Sequence, residues 1–424
     1  MIKLVLINHT FQKKDFYKRW QKLAEAHQNL DVTLLAPGEW DWGIEKNLTY
    51  GHVDHLAGET IESNNFRIHL IDIQKTKLGG WISYRMETEI LQIHPDFVYY
   101  IGEHTQDALM QLFRFRKRNK LNTMKILAFS MRGHQQSLHL QKSSSLKGKI
   151  RSVGKYLYFK RKLDLLNRNC DVIFCHYPDA MAEFRREGFR RPIYMQTQVG
   201  VDPDIFHPDE ACRRRIREQY SIGDAFLFGS ASRFNENKGL NEIIKALPED
   251  GNWKYLMMGW GRPDEVERIK SEIAARHLEE KIILTGFIDN WPDMAAHWNA
   301  LDCAVHAPLT THEWEETFSL ALVQAMATGL PIIGSSSGSV PYQIGPKGVV
   351  IREKDIQALH DAFIEMMLSP EKCRSIGDQM KDRAVNGFGI YHLNELFYLT
   401  IKDIMNGIYD PNKIDMANYN VEGS

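Results

Sequence analysis

Residues 311–341 read THEWEETFSLALVQAMATGLPIIGSSSGSVP, and the order of residue types in this stretch decides the fold. An acidic loop ending at Glu316 runs into a block of strong helix formers, expected to be helical over 318–328 and stopped by Gly329. Pro331 then opens an apolar strand, and a Ser/Gly loop follows it. With the apolar run 303–307 before it, the stretch reads strand, loop, helix, strand, which is the repeating unit of a parallel sheet covered by helices.

The same alternation extends outward in both directions. Upstream lie strand-like runs at 226–231, 254–258 and 282–285, with amphipathic stretches at 240–247, 264–276 and, before 303, at 292–299. Farther back, short β-branched and aromatic runs recur at 3–7, 32–35, 66–71, 97–101, 125–129, 172–175 and 193–195. Between the two series, residues 198–208 (QVGVDPDIFHP) are dense in turn formers and read as a connection. A chain of 424 residues is long for one core, so two domains are expected. They are placed at 1–200 and 201–385, each doubly wound and Rossmann-like, followed by a helical tail over 386–424 that packs back toward the first domain. Ligands of open α/β sheets sit beyond the carboxyl ends of the strands, so two such domains are expected to face a shared cleft.

Composition narrows the function classes. Lys+Arg 53 against Asp+Glu 54 leaves no overall pull toward nucleic acid. Two local runs break the balance, 114–120 (RFRKRNK) and 142–162, the second interleaved with Tyr156, Leu157, Tyr158 and Phe159. They read either as solvated helix faces or as a peripheral contact with anionic lipid or an acidic acceptor. The five cysteines are scattered without metal-binding spacing, which predicts buried free thiols in a reducing compartment. No segment approaches the length of uninterrupted apolar sequence that crosses a bilayer, and the apolar N-terminal run is too short for a secretory signal. A cytoplasmic protein, peripheral at most at the inner face of a membrane, is expected.

The chemistry-bearing residues cluster in the second half. Arg233 and Lys238, in SRFNENKGL, stand at the end of a predicted strand and the start of a helix, where two cations can hold a diphosphate. The helix after Glu316 offers its unpaired N–H groups to an anion. Glu316 lies eight residues before Gln324, about 12 Å if the whole offset were helical. That span suits groups gripping opposite ends of a nucleotide sugar.

This segment resembles the donor site of glycosyltransferase family 4, whose mark is a Glu, seven residues, a second Glu and an Ala-Met-Ala-x-Gly-x-Pro stretch. Glu316 and residues 325–331 match it, and Gln324 departs at the second carboxylate. Arg233 with Lys238-Gly239, the turn Gly259-Trp260-Gly261, Thr285-Gly286-Phe287 and Gly200-Val201-Asp202 match further pieces in the family's order over about 145 residues. The resemblance implies the GT-B fold and a retaining transfer of sugar from a nucleotide-diphosphate sugar to a carbohydrate or lipid-linked acceptor. It also implies that Arg233 and Lys238 serve in place of a metal, that no cofactor is needed, and that Glu316 accepts hydroxyls of the donor sugar. Gly259, Ser319, Leu320 and Gln324 are the expected donor contacts. The second domain takes the donor and the first the acceptor.

Departures fall at Gln324, at Tyr342 where the family often has an acidic residue, and in the first loop, 8–14 (NHTFQKK), which lacks the family's glycines. The family commonly brings a His from a loop of the first domain to the donor, and His134 and His104 are the candidates. Asp202-Pro203-Asp204 mimics a metal-binding Asp-x-Asp motif but sits in the connection and reads as a hinge. Other readings on the same fold are a sugar-nucleotide epimerase, a phosphorylase, or a non-catalytic glycan-binding or partner-binding subunit.

Overall fold

The computed structural model describes residues 1–12, 14–38, 61–76, 80–103, 105–131, 146–312 and 314–409. They form two compact units, one holding the described residues among 1–198 and 394–409, the other those among 199–393.

In the N-terminal unit the strands are β1 (Ile2–Ile7), β2 (Leu30–Pro37), β3 (Ile61–Ser63), β4 (Phe66–Ile71), β5 (Gln74–Lys75), β6 (Trp81–Ile82), β7 (Phe97–Ile101), β8 (Lys125–Ser130), β9 (Val172–Cys175) and β10 (Ile193–Met195). Eight of them make one sheet in the order β10-β9-β8-β7-β1-β2-β4-β3, and β5 and β6 pair as a small ribbon. The main sheet is parallel except for β3, which runs antiparallel to β4. The strands β1, β2 and β7 are near-continuous apolar runs because both faces are covered.

The helix Ile390–Met405 closes the core of this unit. Phe397, Tyr398, Ile401 and Ile404 join the buried cluster formed by β1, β2, β7 and the helix Lys14–Ala26. The Phe397 ring meets Trp20 edge-on at 5.4 Å and stacks on Tyr99 at 5.4 Å. Buried Arg19 donates to Asn394 Oδ1 at 3.0 Å and to the Thr197 carbonyl at 3.1 Å, and Asn394 returns a bond to the Arg19 carbonyl at 2.9 Å. Sequence distant by more than 370 positions is thereby tied into one polar knot.

The C-terminal unit holds β11 (Phe226–Arg233), β12 (Trp253–Trp260), β13 (Ile282–Gly286), β14 (Cys303–His306), β15 (Ile332–Ser335) and β16 (Val349–Ile351). Their order is β13-β12-β11-β14-β15-β16, with every pairing parallel. Successive strands are laid down on one side of β11 and then on the other, so the order reverses between β11 and β14. In doubly wound sheets that reversal is where ligands settle, because loops from the two strands diverge and leave a crevice.

The structure departs from sequence expectation in three places. The helix expected over 318–328 spans Leu320–Ala327, because Ser319 caps it by accepting from Leu322 N at 3.2 Å. Glu316 is therefore on the preceding loop, and a helical rise cannot be used to place it. The three-residue strands β3 and β16 and the two-residue strands β5 and β6 are too short to show a period in sequence. All five cysteines are free; four are buried, whereas Cys212 is partly exposed.

Because Phe397 is fully buried among aromatic rings, Phe397→Ala should cost the N-terminal unit about 3–5 kcal/mol, the usual range for emptying a buried aromatic site. Urea unfolding followed by far-UV circular dichroism measures it. A loss below about 1 kcal/mol would show that this helix adds little to the core.

Candidate donor site

The site grows from the carboxyl ends of β11 and β14. Arg233 is the last residue of β11 and sits opposite Trp260, the last of β12. Its guanidinium lies 5.8 Å from the Trp260 ring, within cation–π range, so the exposed side chain has an aromatic platform. The backbone continues directly into a 3₁₀ turn, Glu236–Lys238, fastened by Phe234 N to the Trp260 carbonyl at 2.7 Å and Lys238 N to the Asn235 carbonyl at 3.1 Å.

Lys238 then meets Glu316, which arrives on the loop after β14. The ammonium donates to Glu316 Oε2 at 2.7 Å and also lies 4.4 Å from the Trp314 ring centroid. His306, the last residue of β14, brings Nε2 to 3.5 Å from the same carboxylate oxygen, at a geometry outside normal hydrogen-bond limits. Glu316 is only 6% exposed. Burial alone would raise its pKa, but contact with His306 and the charge and hydrogen bond of Lys238 more than offset it, and the carboxyl falls from 4.5 to about 2.

The loop is held rigidly behind this carboxylate. Ser339 N donates to the Glu316 carbonyl at 2.7 Å, which requires Gly338 to pass beneath with φ +47°; a Cβ at 338 would stand 2.1 Å from that carbonyl oxygen. Fully buried Gln343 clamps the start of the following helix. Its Oε1 accepts from Ser319 N at 2.9 Å and from Ser339 Oγ at 3.1 Å, and its Nε2 donates to the Ser319 carbonyl at 3.0 Å. Farther back, the Thr310 backbone N–H and hydroxyl both donate to Glu353, at 2.6 and 2.8 Å. His306, Gln343 and Glu353 are site-building residues that sequence reading did not single out.

The remaining residues expected from sequence take definite places. Gly259 has φ +135°, and a Cβ there would lie 1.8 Å from the Ser232 carbonyl oxygen, so only glycine lets β12 end this close to β11. Ser319 is the helix cap already described, and Leu320 is the first helical residue beside it. Gln324 faces a nearly closed environment at 5% exposure. Tyr342 packs its ring edge-on against Phe388 at 6.1 Å, and its carbonyl accepts from Arg383 at 2.5 Å. The structure thus brings Lys238 and Glu316 into contact, with Arg233 on the same strand end and Ser319–Leu320 following Glu316.

His104 and His134 lie outside the described residues. Within the N-terminal unit, the strand order reverses between β7 and β1, and the 3₁₀ turn His9–Gln12 follows β1 at that point. Burial lowers the His9 imidazole to about 4, which keeps it neutral near neutral pH. Asp202 is buried and accepts from Asp204 N at 3.1 Å, while Asp204 Oδ2 accepts from the Tyr391 hydroxyl at 2.5 Å, so both carboxylates are engaged within the connection.

Comparison with known proteins finds likenesses in both sequence and fold. Residues 213–383 match the model of the glycosyl transferases group 1, and that stretch contains every one of β11–β16. The GDP-mannose-dependent alpha-(1-6)-phosphatidylinositol monomannoside mannosyltransferase of Mycolicibacterium smegmatis is 27% identical over 187 residues, covering 42% of this chain and 48% of that protein. The chain thus spans about half the length of the curated relatives it matches. Among solved structures, HepE of Anabaena in complex with UDP and glucose superposes with a TM-score of 0.67 at 15% identity, over 95% of this chain and 100% of that one. Sucrose-phosphate synthase of Thermosynechococcus elongatus gives 0.69 at 17%, over 96% of this chain and 100% of that one. The fold is GT-B, and the part of the C-terminal unit over residues 213–383 is similar to the group 1 glycosyl transferases.

The depressed Glu316 pKa fixes the sign of a pH effect. The folded state holds the carboxylate deprotonated down to about pH 2, whereas an unperturbed carboxyl titrates near 4.5, so the stability it contributes is complete above 4.5 and lost as pH falls toward 2. Between pH 7 and pH 3, wild-type protein should lose about 2 kcal/mol more stability than Glu316→Gln, because part of the window lies below pH 3. Denaturation midpoints at pH 7 and pH 3 test this, and parallel acid limbs would refute the assigned pKa.

Proposed function

We propose that the chain transfers a sugar from a nucleotide-diphosphate sugar to a carbohydrate or lipid-linked acceptor, with retention of anomeric configuration and without a metal. The observation that carries this reading is the Lys238–Glu316 contact of 2.7 Å at the β11/β14 reversal, with Arg233 on the adjoining strand end. Arg233 and Lys238 supply fixed positive charge where a diphosphate would depart; Lys238 uses one ammonium proton on Glu316 and keeps two for phosphate oxygens. Charge-assisted bonds of that kind strengthen as the leaving group gains charge, which lowers the barrier to its departure.

Glu316 is assigned to the sugar end. It is held ionised by its neighbours, so it accepts hydroxyl donors and favours positive charge at the anomeric carbon. The N-terminus of the helix Leu320–Ala327 is assigned to the phosphates, Gly259 to the close approach of backbone, and Gln324 to a polar contact with the nucleoside. The acceptor is assigned to the N-terminal unit. The names of the mycobacterial relative and of the HepE complex make GDP-mannose and UDP-glucose the first donors to try.

A peripheral lipid contact fits the basic segment 142–162. Among its described residues, Ile150, Val153 and Leu157 fall on one face of the helix Leu146–Asn169, and all three are exposed, Ile150 by 66%. Lys160 and Arg161 are exposed just beyond them. The other basic run, 114–120, is partly consumed internally, since Arg116 pairs with Asp171 at 2.7 Å and Arg118 with Glu87. Localisation at the inner membrane face follows from this reading. Among the described residues no helix is long and apolar enough to cross a membrane.

Thermal-shift screening of GDP-mannose, UDP-glucose and other sugar nucleotides should find one that raises the melting temperature, because ligand binding to the folded state stabilises it. With that donor, Lys238→Ala and Arg233→Ala should each lower kcat/KM by about 10- to 150-fold, the cost of one charge-assisted bond. The reading fails if no sugar nucleotide binds, is hydrolysed or is transferred; NMR of the product's anomeric proton decides retention, and unchanged rates in EDTA decide metal independence.

For the lipid contact, the double variant Ile150→Glu, Leu157→Glu should abolish co-sedimentation with phosphatidylglycerol-containing vesicles that the wild type shows. Equal sedimentation of both proteins, or equal binding to neutral phosphatidylcholine vesicles, would remove this contact from the reading.

A further inference from the structure

Two groups converge on one oxygen of Glu316 and leave the other unused. Lys238 donates to Oε2 at 2.7 Å, and His306 Nε2 stands 3.5 Å from the same atom. Among the described residues nothing donates to Oε1, and that oxygen is not sealed from water. His306 Nε2, by contrast, is sealed from water and has no partner within hydrogen-bond limits. A buried ring nitrogen left in this state is costly, and the group it faces is the carboxylate.

The surroundings fix the proton on that nitrogen. An unprotonated Nε2 would turn its lone pair on a carboxylate oxygen, so Nε2 carries a hydrogen and faces Oε2 as a donor. The contact is long, as hydrogen bonds of unliganded sites often are before a ligand tightens them. Both donors stand on one frame. His306 ends β14 and is paired with Gly334 of β15. The turn that carries Lys238 is fastened to the chain just beyond His306: Leu309 N donates to the Asn237 carbonyl at 2.8 Å. Gly239, with φ +65°, passes so close that a Cβ there would stand 2.0 Å from the Ala307 carbonyl oxygen.

The two donors differ in what they can hold. An ammonium on a four-carbon stem is a flexible point charge that can follow either carboxylate oxygen. An imidazole on a strand end has one N–H direction, set by the backbone. Lys238 therefore balances the charge of Glu316, and His306 sets its rotation. We propose that His306 is a positioning residue for sugar transfer, whose Nε2–H keeps Oε2 turned toward Lys238 and so presents Oε1 to the hydroxyls of the donor sugar. The assignment rests on the glycosyl-transfer reading, in which Glu316 faces the sugar. A carboxylate free to turn would need realignment as charge develops at the anomeric carbon, which raises the barrier more than it weakens binding.

Steady-state kinetics on the full chain, with the donor found by thermal shift and folding checked by circular dichroism, tests the role. His306→Leu should lower kcat about tenfold, the effect of one lost hydrogen bond, while the donor KM stays within about twofold. His306→Gln, whose amide nitrogen reaches nearly as far as Nε2, should keep kcat within about threefold of wild type. Should His306→Leu fail to fold, His306→Asn takes its place, because its shorter amide falls short of Glu316. Wild-type kcat in folded His306→Leu or His306→Asn, a rise in KM alone, or a kcat in folded His306→Gln as low as in either of them would overturn the role of His306 while leaving glycosyl transfer intact. A wild type that turns over no sugar nucleotide is a separate outcome, which removes the glycosyl-transfer reading and this assignment with it.

Discussion

The C-terminal unit is organised around one buried ion pair. Taking the Glu316 carboxylate out of water is unfavourable, and His306 together with Lys238, the latter at 2.7 Å, keeps it charged there. A pair of this sort adds little net stability, because desolvation consumes most of the attraction. Its value is position: removing Lys238 strands the buried Glu316 charge, so the loop and the strand end that carry them are locked to a single arrangement. Gly338 and Gln343 extend the lock to the backbone, fixing the Glu316 carbonyl and Ser319 from behind. Groups held this way need little reorganisation when charge develops beside them.

The pair spans 78 positions of sequence, and the topology of the sheet is what closes that distance. Lys238 follows β11 and Glu316 follows β14, strands that are neighbours only because the winding reverses between them. The reversal separates the helices on either side and leaves the strand ends open to ligands. His306, at the tip of β14, contributes a second group to the same oxygen from beneath. A different strand order with the same elements would scatter these three side chains.

Much of this was legible in sequence, and the limits have physical causes. The alternation of short apolar runs with amphipathic stretches carries the period of a doubly wound fold, and Arg233, Lys238-Gly239 and Glu316 stand at recognisable junctions. Gln343 reads in sequence as one polar residue in a short helix; only its fully buried contacts to Ser319 reveal its role. The same holds for Glu353, whose partner Thr310 is 43 positions away. Strands of two or three residues, such as β5, β6 and β16, acquire their identity from neighbours rather than from pattern. The helix begins two residues later than expected because the Ser319 side chain caps it, a role that a run of strong helix formers hides. The Asp202 and Asp204 carboxylates show the reverse case, a suggestive motif that the fold spends on its own connection.

Gln324 connects sequence to energetics most directly. The family resemblance places a carboxylate here, and the position is 5% exposed in the unit that already buries Glu316. A second ionised group would need its own compensating donors while the site stood empty, whereas a neutral amide costs far less to bury. The amide, however, offers one carbonyl oxygen to a ligand where a carboxylate offers two charged ones. The exchange therefore shifts free energy from the complex to the unliganded protein: the empty site is less strained, and the hold on any hydroxyl pair presented to position 324 is weaker. Arg233, Lys238 and Glu316 are untouched by that exchange, so the groups proposed to act on a departing diphosphate and on the sugar remain, and selectivity at position 324 is free to differ.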